Sequence, residues 1–402
     1  MPTDFLPRRY RPLVALLALG CGRAGAQTLT APAETAAPAV VTLEGTAEGP
    51  RTTVVLRTGR GYETARTLGV VTHAEGAARR ALVLPGDPDR PNVLVVATVQ
   101  RTVRASAYNA ALFRVDGRGG EATRLCEGVA DLSVPMRTAS GTVLVQRGRD
   151  GDEPTPDPAS PRVFRERSDA LQLDAIDPAT GRTRTVWQGS GQIAFLAAPV
   201  GGDAVAVYWV HDGGSTLLRL DAARGTTRVL VPNLPVARDF SYDPHTDRVV
   251  FARATPDPRV YEVAAVSARE GGVPQALWRG PSEALMPRAL ADGRVVLSLP
   301  GLGGLAVLAP EGATGGTQPV TGAPGVTAAP RVLGPTRIAP LGDGSDAALE
   351  ESPDGRWLAL RHTTRDAERW VLLPRRGGPP VPLAPRTEWM EWAGFVRPEG
   401  AR

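Results

Sequence analysis

Four histidines are the first candidates for chemistry in this sequence: His73, His211, His245 and His362. They lie far apart along the chain, and none belongs to an HExxH motif or to a paired metal-binding spacing. His245 follows a proline in a turn, and His211 ends a predicted strand before Asp212–Gly214, so we interpret both as solvated turn residues. The sequence therefore predicts no metal site and no cofactor.

The acidic and nucleophilic side chains give no stronger indication of a metal or catalytic site than the histidines do. The acidic loop Asp150–Glu153 lacks the alternating ligands and the terminal Glu of an EF-hand loop, so we interpret it as a solvated loop. A serine hydrolase of the α/β class carries its nucleophile in a G-x-S-x-G elbow, and no serine here has glycine two residues away on both sides. We therefore expect no catalytic residue.

The N-terminal segment, residues 1–26, has the three parts of a secretory signal peptide. Arg8–Arg11 is basic, and Leu13–Leu19 is apolar but too short to span a bilayer. Ala24–Ala26 is an A-x-A cleavage site, which predicts cleavage between Ala26 and Gln27. Residues 27–38 are rich in Ala, Thr and Pro, and we interpret them as a flexible linker.

A second processing route is open at the same segment. Ala18–Cys21 resembles a bacterial lipoprotein signal, in which Cys21 would be lipidated. Either route leaves Cys126 without a disulfide partner, so stability has to come from packing. Cys126 lies on a predicted strand, and we expect a buried, inert thiol.

The charge pattern argues against a nucleic-acid partner. All 46 basic residues are arginine and the formal net charge is only +4. The arginines are dispersed along the chain and form no basic patch.

A strand–turn–strand unit recurs after residue 39. Its copies are Thr53–Leu56 with Thr67–Gly69, Leu112–Asp116 with Arg124–Cys126, Leu173–Asp177 with Arg184–Trp187, Leu217–Asp221 with Arg228–Leu230, Val263–Val266 with Gln275–Leu277, Leu305–Leu308 with Gln318–Val320, and Trp370–Leu373 with Val381–Leu383. A glycine lies in every connecting loop, and further apolar strands such as Gly202–Val207 precede most copies. Four strands per unit, with starts about 45 to 60 residues apart, are the signature of a β-propeller.

The two ends of the chain predict how the ring closes. Glu388–Gly400 repeats the strand and turn that open a unit, and then the chain ends. The three strands missing from that unit are available at Ala39–Leu43, Thr53–Leu56 and Ala65–Leu68. We predict an all-β, seven-bladed propeller over residues 39–402, with six blades as the alternative, closed by the C-terminal strand and the N-terminal strands.

The clearest copy of the opening turn is Ser352–Gly355, in which proline presets φ early and glycine accepts φ > 0 late. Together with the apolar strand Trp357–Leu360, this stretch resembles the WD40-like repeat of the TolB propellers and of the propeller domains of prolyl-oligopeptidase-type peptidases. Weaker copies are Asp243–Phe251 and Ala291–Leu297. The resemblance implies an exported bacterial propeller that often binds other envelope proteins. Only the propeller part of the peptidase family is matched, so none of its catalytic residues carry over.

The tryptophans fall into two groups. Five lie on predicted strands, which favours packing between blades: Trp187, Trp209, Trp278, Trp357 and Trp370. Trp389 and Trp392 are three residues apart and cannot share a face of a regular strand. We regard these last two as candidates for an interface at the rim.

Two intervals are longer than the rest, residues 148–168 and 323–345, and we interpret both as inserted surface loops. Because propeller strands are buried between blades, specificity is expected on loops. We expect a non-enzymatic binding or scaffolding protein of the cell envelope, periplasmic or lipid-anchored at the outer membrane, with a protein or peptide partner across one loop face. The alternative is a hydrolase or lyase with its site at the central pore, which a cluster of acidic or His side chains there would favour.

Overall fold

The computed structural model describes residues 38–393, except for 47–48, 60, 75–77, 100–108, 131–132, 149–154, 158–159, 166–170, 192, 258, 281–285, 299–303, 309–340 and 376. Every regular element in these ranges is a β-strand, so they contain no helix that would cross a membrane. The predicted signal peptide, its cleavage site at Ala26 and Gln27, Cys21 and nearly all of the predicted linker lie outside the described residues, and these remain predictions.

The strands in chain order are β1 (Val40–Gly45), β2 (Arg51–Thr58), β3 (Thr64–Thr72), β4 (Ala78–Val83), β5 (Val93–Thr98), β6 (Ala110–Val115), β7 (Thr123–Val129), β8 (Met136–Arg137), β9 (Val143–Gly148), β10 (Thr155–Asp157), β11 (Ser160–Arg165), β12 (Leu171–Ile176), β13 (Thr183–Gly189), β14 (Ile193–Val200) and β15 (Ala204–His211). They continue with β16 (Gly214–Asp221), β17 (Thr226–Val231), β18 (Ala237–Asp243), β19 (Arg248–Ala254), β20 (Tyr261–Ser267), β21 (Gln275–Gly280), β22 (Arg288–Ala289), β23 (Val295–Ser298), β24 (Leu305–Leu308), β25 (Ser345–Glu351), β26 (Trp357–Thr363), β27 (Glu368–Pro374), β28 (Val381–Pro382) and β29 (Thr387–Trp392).

These strands pair antiparallel with their neighbours in the chain. Strands β14 to β17, β18 to β21 and β25 to β28 form four-stranded sheets, and β22 to β24 form a three-stranded one. A larger sheet holds two four-stranded groups, β4 to β7 and β8–β9–β12–β13, which are joined at the single residue pair Val129–Arg147. The all-β class and the four-stranded unit are confirmed, while the number of blades stays a prediction.

Strand β29 completes a four-stranded sheet with β1, β2 and β3. Val40 lies opposite Trp392 and Leu43 opposite Trp389, and the amide of Ala393 donates to the carbonyl of Ala39 at 2.9 Å. The C-terminal strand therefore supplies one strand of this sheet and the N-terminal segment supplies three, as predicted. The ring closes through backbone hydrogen bonds, which leave no open strand edge at the junction.

The first strand of each group lies at one edge of its sheet, and we call β29, β4, β8, β14, β18, β22 and β25 the inner strands. Five pairs of neighbouring inner strands are in contact: β29 with β4, β8 with β14, β14 with β18, β18 with β22, and β22 with β25. In a propeller such edges surround the central channel. The inner strands therefore decide which side chains reach the axis.

The hydrophobic clusters lie between neighbouring sheets. One joins Leu217 of β16 to Phe251 of β19, and another joins Trp370 of β27 to Trp392 of β29. A strand between two such clusters is covered on both faces, which explains apolar runs without alternation such as Val93–Ala97, where every residue is buried. The core is thus divided among the sheet interfaces.

Four dispersed arginines each tie one strand group to the next. Arg66 donates to the Gly117 carbonyl at 3.1 Å, Arg114 to Ala179 at 2.8 Å, Arg184 to Ala222 at 2.9 Å and Arg219 to Ala268 at 3.1 Å. In each pair the arginine lies in one strand group and the carbonyl in a turn of the next group along the chain. This repeated contact gives the scattered arginines a structural use that needs no basic patch.

A glycine allows two neighbouring sheets to approach each other closely. Gly271, in the turn between β20 and β21, has φ of 73°, and a Cβ there would lie 2.5 Å from the carbonyl oxygen of Leu230 on the preceding sheet. No side chain fits at that distance, so the glycine predicted in this connecting loop is required by sheet packing.

The opening turn Ser352–Gly355 forms as predicted, with φ of 68° at Gly355. The hydroxyl of Ser352 donates to Asp354 Oδ1 at 2.6 Å and accepts from the Trp357 amide at 2.9 Å. Asp354 Oδ1 also accepts from the Arg356 amide at 3.0 Å. The short polar side chains therefore satisfy backbone donors of the turn, and this explains why Ser and Asp stand at these positions.

The interval 148–168, which we interpreted as an inserted surface loop, contains two strands. Strands β10 and β11 lie inside this interval and form an antiparallel hairpin of their own. Of the second predicted loop, residues 323–340 lie outside the described residues, and β25 begins at Ser345.

Candidate functional site in the central channel

The structure does not bring the four histidines together. His245 is exposed in a turn as predicted, whereas His211 is half-buried, stacks on Trp209 with ring centroids 4.2 Å apart and bonds Thr216 at 3.0 Å. The interpretation of His211 as a solvated residue was therefore wrong. Among the described residues, no group of three or more His, Cys, Asp or Glu side chains is close enough to hold a metal ion.

The other two histidines are buried and have structural partners. His73 is 7% exposed, and its Nε2 lies 2.9 Å from the Thr52 hydroxyl. His362 is 2% exposed, and its Nδ1 lies 2.7 Å from Asp346 Oδ1. The second carboxylate oxygen of Asp346 accepts the Leu341 amide at 3.2 Å, so the acid joins a loop to the sheet. Both pairs satisfy buried polar groups.

Cys126 lies on β7 as predicted but is half-buried rather than buried. Burial is the main cause that raises the pKa of its thiol. A raised pKa keeps the thiolate fraction small at neutral pH, which agrees with an inert thiol.

The tryptophans on strands pack between sheets as predicted, but only one of the five is fully buried. Trp370 is 2% exposed, whereas the other four are half-buried against the clusters between sheets. Trp392 is 5% exposed inside the cluster of Trp370, so it is not a rim residue. Trp389 is half-buried and packs edge to face on Trp370, with ring centroids 5.6 Å apart.

Charged side chains gather at the channel. Most lie on inner strands of different sheets and one lies on β26, and we call them the channel cluster: Arg80, Arg137, Asp239, Arg288, Glu350, Arg361 and Glu391. Electrostatic interactions connect its members across sheet boundaries, including Arg137 with Glu391, Arg288 with Glu350, and Asp239 with Arg361.

Two of these interactions join four-stranded groups that do not follow one another. Glu391 lies on β29 and Arg137 on β8, and the group β4 to β7 stands between them. Asp239 lies on β18 and Arg361 on β26, with the sheet of β22 between them. Non-adjacent blades of a propeller approach one another only at its axis. These charges therefore meet in the channel.

Irregularities in the inner strands accompany the cluster. The pairing register shifts between Ala78 and Arg80, between Arg238 and Ser241, and between Ala348 and Glu350. Asp239 lies within the second shift and has φ of 56°, which is unusual for a residue other than glycine. A bulge re-aims the side chains beside it, and bulges are common next to functional sites.

Glu391 and Arg80 are positioned by one aromatic ring. The indole N–H of Trp389 donates to Glu391 Oε1 at 3.0 Å, and the Arg80 guanidinium lies over the same ring, 4.4 Å from its centroid. The indole thus orients the acid with its edge and the cation with its face. This contact gives Trp389 a place beside the channel cluster.

The arginines on the other side of the channel are incompletely hydrogen-bonded. Arg288 donates from Nη1 to the Phe240 carbonyl at 3.2 Å, but its buried Nε has no partner among the described residues. The buried Nε of Arg361 likewise lacks a partner in the described part of the chain, and its Nη1 lies 3.7 Å from Glu368. Each guanidinium therefore retains donor capacity.

The ionisation of the cluster is perturbed by its surroundings. Burial raises the pKa of Glu391 well above its ordinary value, and the Glu350 carboxylate raises it further. Burial also raises the pKa of Asp239, against the opposing effect of nearby arginines. Burial lowers the pKa of both Arg137 and Arg288, although arginine remains the charged partner at neutral pH.

The cluster is a candidate binding site with mixed charge and an excess of cations. It has four arginines and three carboxylates, and a raised pKa weakens the negative charge of two of those carboxylates. The sequence analysis missed the cluster because its members are far apart in the chain and lie on short inner strands. The only sequence feature that could have indicated the cluster was the repeat, because it shows where in each unit the inner strand lies.

A second concave feature lies away from the channel. It is a cleft of about 420 Å³ lined by Asp87, Arg90, Asn92, Asp116 and Arg118, in the turns after β4 and β6. Asp116 accepts the amide of Arg118 at 2.8 Å, and Asp87 accepts that of Asp89 at 2.9 Å. These carboxylates stabilise their own turns.

No family model and no curated protein matches the chain. Among solved structures, an oligogalacturonate lyase in complex with manganese has a TM-score of 0.54 at 15% identity, covering 84% of this chain and 91% of the lyase. The oligogalacturonate lyase of Vibrio parahaemolyticus has a TM-score of 0.53 at 10% identity, covering 84% and 92%.

TolB of Acinetobacter baumannii is also similar, with a TM-score of 0.42 and 14% identity over 68% of this chain. The match spans 62% of the TolB chain. The propeller fold that the TolB-like repeat predicts is confirmed, and the two lyases, with TM-scores above 0.5, support it. At these identities the similarity concerns the fold alone, and the fold of this chain is a β-propeller.

Proposed function

We propose that this protein is an exported, non-enzymatic β-propeller that binds its partner in the cell envelope at the mouth of the central channel. The observation that carries the proposal is the channel cluster, in which Arg137 and Glu391 interact electrostatically although the group β4 to β7 lies between their own strand groups. The signal-like segment at residues 1–26 supports export. Under this proposal the recognition surface includes the mouth of the channel as well as the surface loops expected from the sequence.

The energetics favour recognition over a purely structural role. Burying a charge is costly unless it is paired and hydrogen-bonded, and replacing buried ion pairs with apolar residues is often neutral or stabilising. The sheet interfaces already supply an extensive apolar core. A set of partly desolvated arginines at the channel is therefore better explained by a partner that pairs with them.

A comparative pull-down from envelope extracts tests this proposal. The bait is the mature protein, and the comparison uses the double variant Arg137→Gln/Arg288→Gln and the control Arg224→Gln, whose side chain is 80% exposed. We expect one partner that the wild type and the control both retain and that the double variant loses at unchanged melting temperature. Equal capture by all three proteins would contradict binding at the channel.

A second candidate function is catalysis at the same place. The observation that favours it is the electrostatic interaction of Glu350 with Glu391, because a carboxyl group whose pKa is raised by burial and by a second carboxylate is suited to general acid catalysis. The oligogalacturonate lyases named above show that enzymes occur on this fold.

Incubation with oligogalacturonate, with and without added manganese, separates the two candidates. The binding proposal predicts no product above a heat-treated control. Turnover of oligogalacturonate by the wild type would contradict the binding proposal if Glu391→Gln abolishes it without changing the circular dichroism spectrum or the melting temperature. The protein would then be an enzyme.

A further inference from the structure

Three polar side chains connect the closing strand β29 to strand β2. Thr52 of β2 is completely buried, and its hydroxyl oxygen lies 2.9 Å from His73 Nε2 and 3.4 Å from Glu388 Oε2. His73 follows β3 and is 7% exposed, whereas Glu388 of β29 is half-buried. We call Glu388, Thr52 and His73 the polar triad. It ties the beginning of β29 to β2 across the intervening strand β1.

A glycine allows the Glu388 side chain to cross β1. Gly45 of β1 lies opposite Thr52, and a Cβ built on Gly45 would stand 2.5 Å from Glu388 Oε1. The pairing register of β1 with β29 also shifts beside Glu388, between Leu43 and Glu44. Any side chain at position 45 would therefore displace the carboxyl group from Thr52.

Counting the protons of the polar triad fixes which groups donate. His73 Nδ1 lies 2.6 Å from the Ala74 carbonyl oxygen, which can only accept, so Nδ1 carries a proton. In a neutral ring Nε2 is then bare and accepts the single hydroxyl proton of Thr52. With that proton used, Thr52 can only accept from Glu388, and the carboxyl group must supply the proton of that bond itself.

The same contacts are also satisfied when the imidazole ring is charged. An imidazolium donates from His73 Nε2 to the Thr52 oxygen, and Thr52 then donates to an ionised Glu388. Both arrangements hold one proton more than a neutral His73 beside an ionised Glu388, where two acceptors compete for one hydroxyl proton. The polar triad is therefore complete only when it binds that extra proton, which belongs to the coupled pair.

We propose that the polar triad is a proton-dependent latch on the closing strand, closed while Glu388 and His73 share one extra proton and released when that proton leaves. On release the hydroxyl proton of Thr52 serves one partner and the other contact is lost. Burial, the largest influence on the Glu388 carboxyl group, raises its pKa, which agrees with a proton held there. Because β29 also carries Trp389 and Glu391, release would loosen this side of the channel cluster.

The other charged groups around the polar triad have partners of their own or are exposed. Glu44 of β1 pairs with Arg57 of β2 at 2.6 Å, Arg80 of β4 lies over the Trp389 ring, and Glu391 accepts the indole N–H of Trp389. Further charged side chains on the adjoining described elements are exposed: Arg51, Glu368, Arg369 and Arg386. The proton is therefore assigned to the two ends of the polar triad.

An NMR titration of the full chain with labelled His and Glu side chains tests the shared proton. In the wild type, His73 and Glu388 should respond together in the step that releases it, at a midpoint above the ordinary carboxyl pKa of about 4.3. Thr52→Val removes the hydroxyl with little change of shape and should split this common step into two. Separate steps in the wild type, or an unchanged common step in Thr52→Val, would overturn the latch.

Hydrogen exchange measures whether release loosens the strand. The Gly45 amide donates to the Arg386 carbonyl at 3.2 Å, beside Glu388, whereas the Ala393 amide donates to Ala39 at the other end of β29. As the proton leaves, the protection factor of the Gly45 amide should fall about ten-fold, and that of Ala393 should stay constant. Equal protection of Gly45 on both sides of the midpoint would contradict a latch.

Gly45→Ala separates the latch from the titration of its members. The new Cβ displaces the Glu388 carboxyl group but leaves the contact of Thr52 with His73, and the backbone at position 45 is not left-handed, so it accepts alanine. The amide of residue 45 should then have low protection at every pH. Protection that still changes with pH would overturn the proposal, also in the case that Thr52→Val fails to fold. Neither result depends on which partner the channel binds.

Discussion

Arg137 of β8 and Glu391 of β29 interact electrostatically across the channel, although the group β4 to β7 lies between their own strand groups. Glu391 is on the strand that closes the ring, and its carboxylate accepts the indole N–H of Trp389 at 3.0 Å. Closure of the fold and assembly of the channel cluster thus depend on the same strand. A defect in ring closure would therefore disturb the channel cluster.

The first prediction concerns the pH dependence of stability. The folded state holds the proton of Glu391 more tightly than the unfolded chain does, because the pKa of this carboxyl group is raised in the fold. The stability that the bound proton contributes is complete below the ordinary carboxyl pKa, about 4.3, and is lost as the pH rises through the raised pKa of the folded state. Glu391→Gln cannot titrate. Its free energy of unfolding relative to wild type should therefore increase with pH, as measured by urea denaturation.

The control for this prediction is Glu127→Gln, whose side chain is 63% exposed. Its stability difference from wild type should be nearly constant over the same pH range. A constant difference for Glu391→Gln as well would show that this carboxyl group is not held protonated by the fold.

The second prediction compares two tryptophans on adjacent strands. Trp370→Ala should cost about 3 to 5 kcal/mol of unfolding free energy, because the ring is 2% exposed and its removal leaves a cavity. Trp357→Ala should cost less, because that ring is only half-buried and its site is partly open to water. Denaturant melts of both variants measure the difference, and equal costs would contradict the assigned burial.

The third prediction concerns closure of the ring. Truncation after Arg386 removes β29, exposes the edge of β1 and removes Trp392 from its cluster. Lower melting temperature and aggregation are expected, since an unpaired strand edge invites pairing with other chains. A truncated protein that melts and remains soluble like the full chain would contradict the shared sheet.

The fourth prediction concerns a buried ion pair. Glu262 is 1% exposed and accepts Arg253 Nε at 2.7 Å and Arg279 Nε at 2.5 Å. Glu262→Gln leaves cations without a counter-charge and should cost about 3 kcal/mol. The exposed pair of Glu127 and Arg124 provides the matched control, and Glu127→Gln should change stability by less than about 0.5 kcal/mol. Similar effects in both variants would contradict the structural role of Glu262.

The repeat and the closure were predictable because both depend on local patterns. Apolar runs bounded by glycine turns mark strands, and the incomplete units at the two ends complement each other, as the pairing of Val40 with Trp392 shows. Gly355 was predictable for the same reason, since a turn imposes its backbone conformation on a few adjacent residues.

The channel cluster was not predictable from the same patterns. Arg137 stands on a strand of two residues, and Asp239 reaches its place through a bulge with φ of 56°. Neither feature has a periodic signature, because a bulge breaks the alternation that identifies a strand. The burial of His362 beside Asp346 was missed for a related reason, since a hydrogen bond across strands offsets the cost of burying a polar ring.

A double-mutant cycle directly measures whether Arg137 and Glu391 converge in one channel. The free energies of unfolding of the wild type, Arg137→Gln, Glu391→Gln and the double variant are compared at about pH 9, where Glu391 is more fully ionised. We predict a coupling of at least about 0.5 kcal/mol that shrinks toward about pH 5 as Glu391 takes up its proton. Additive effects within about 0.3 kcal/mol at the higher pH would contradict the account.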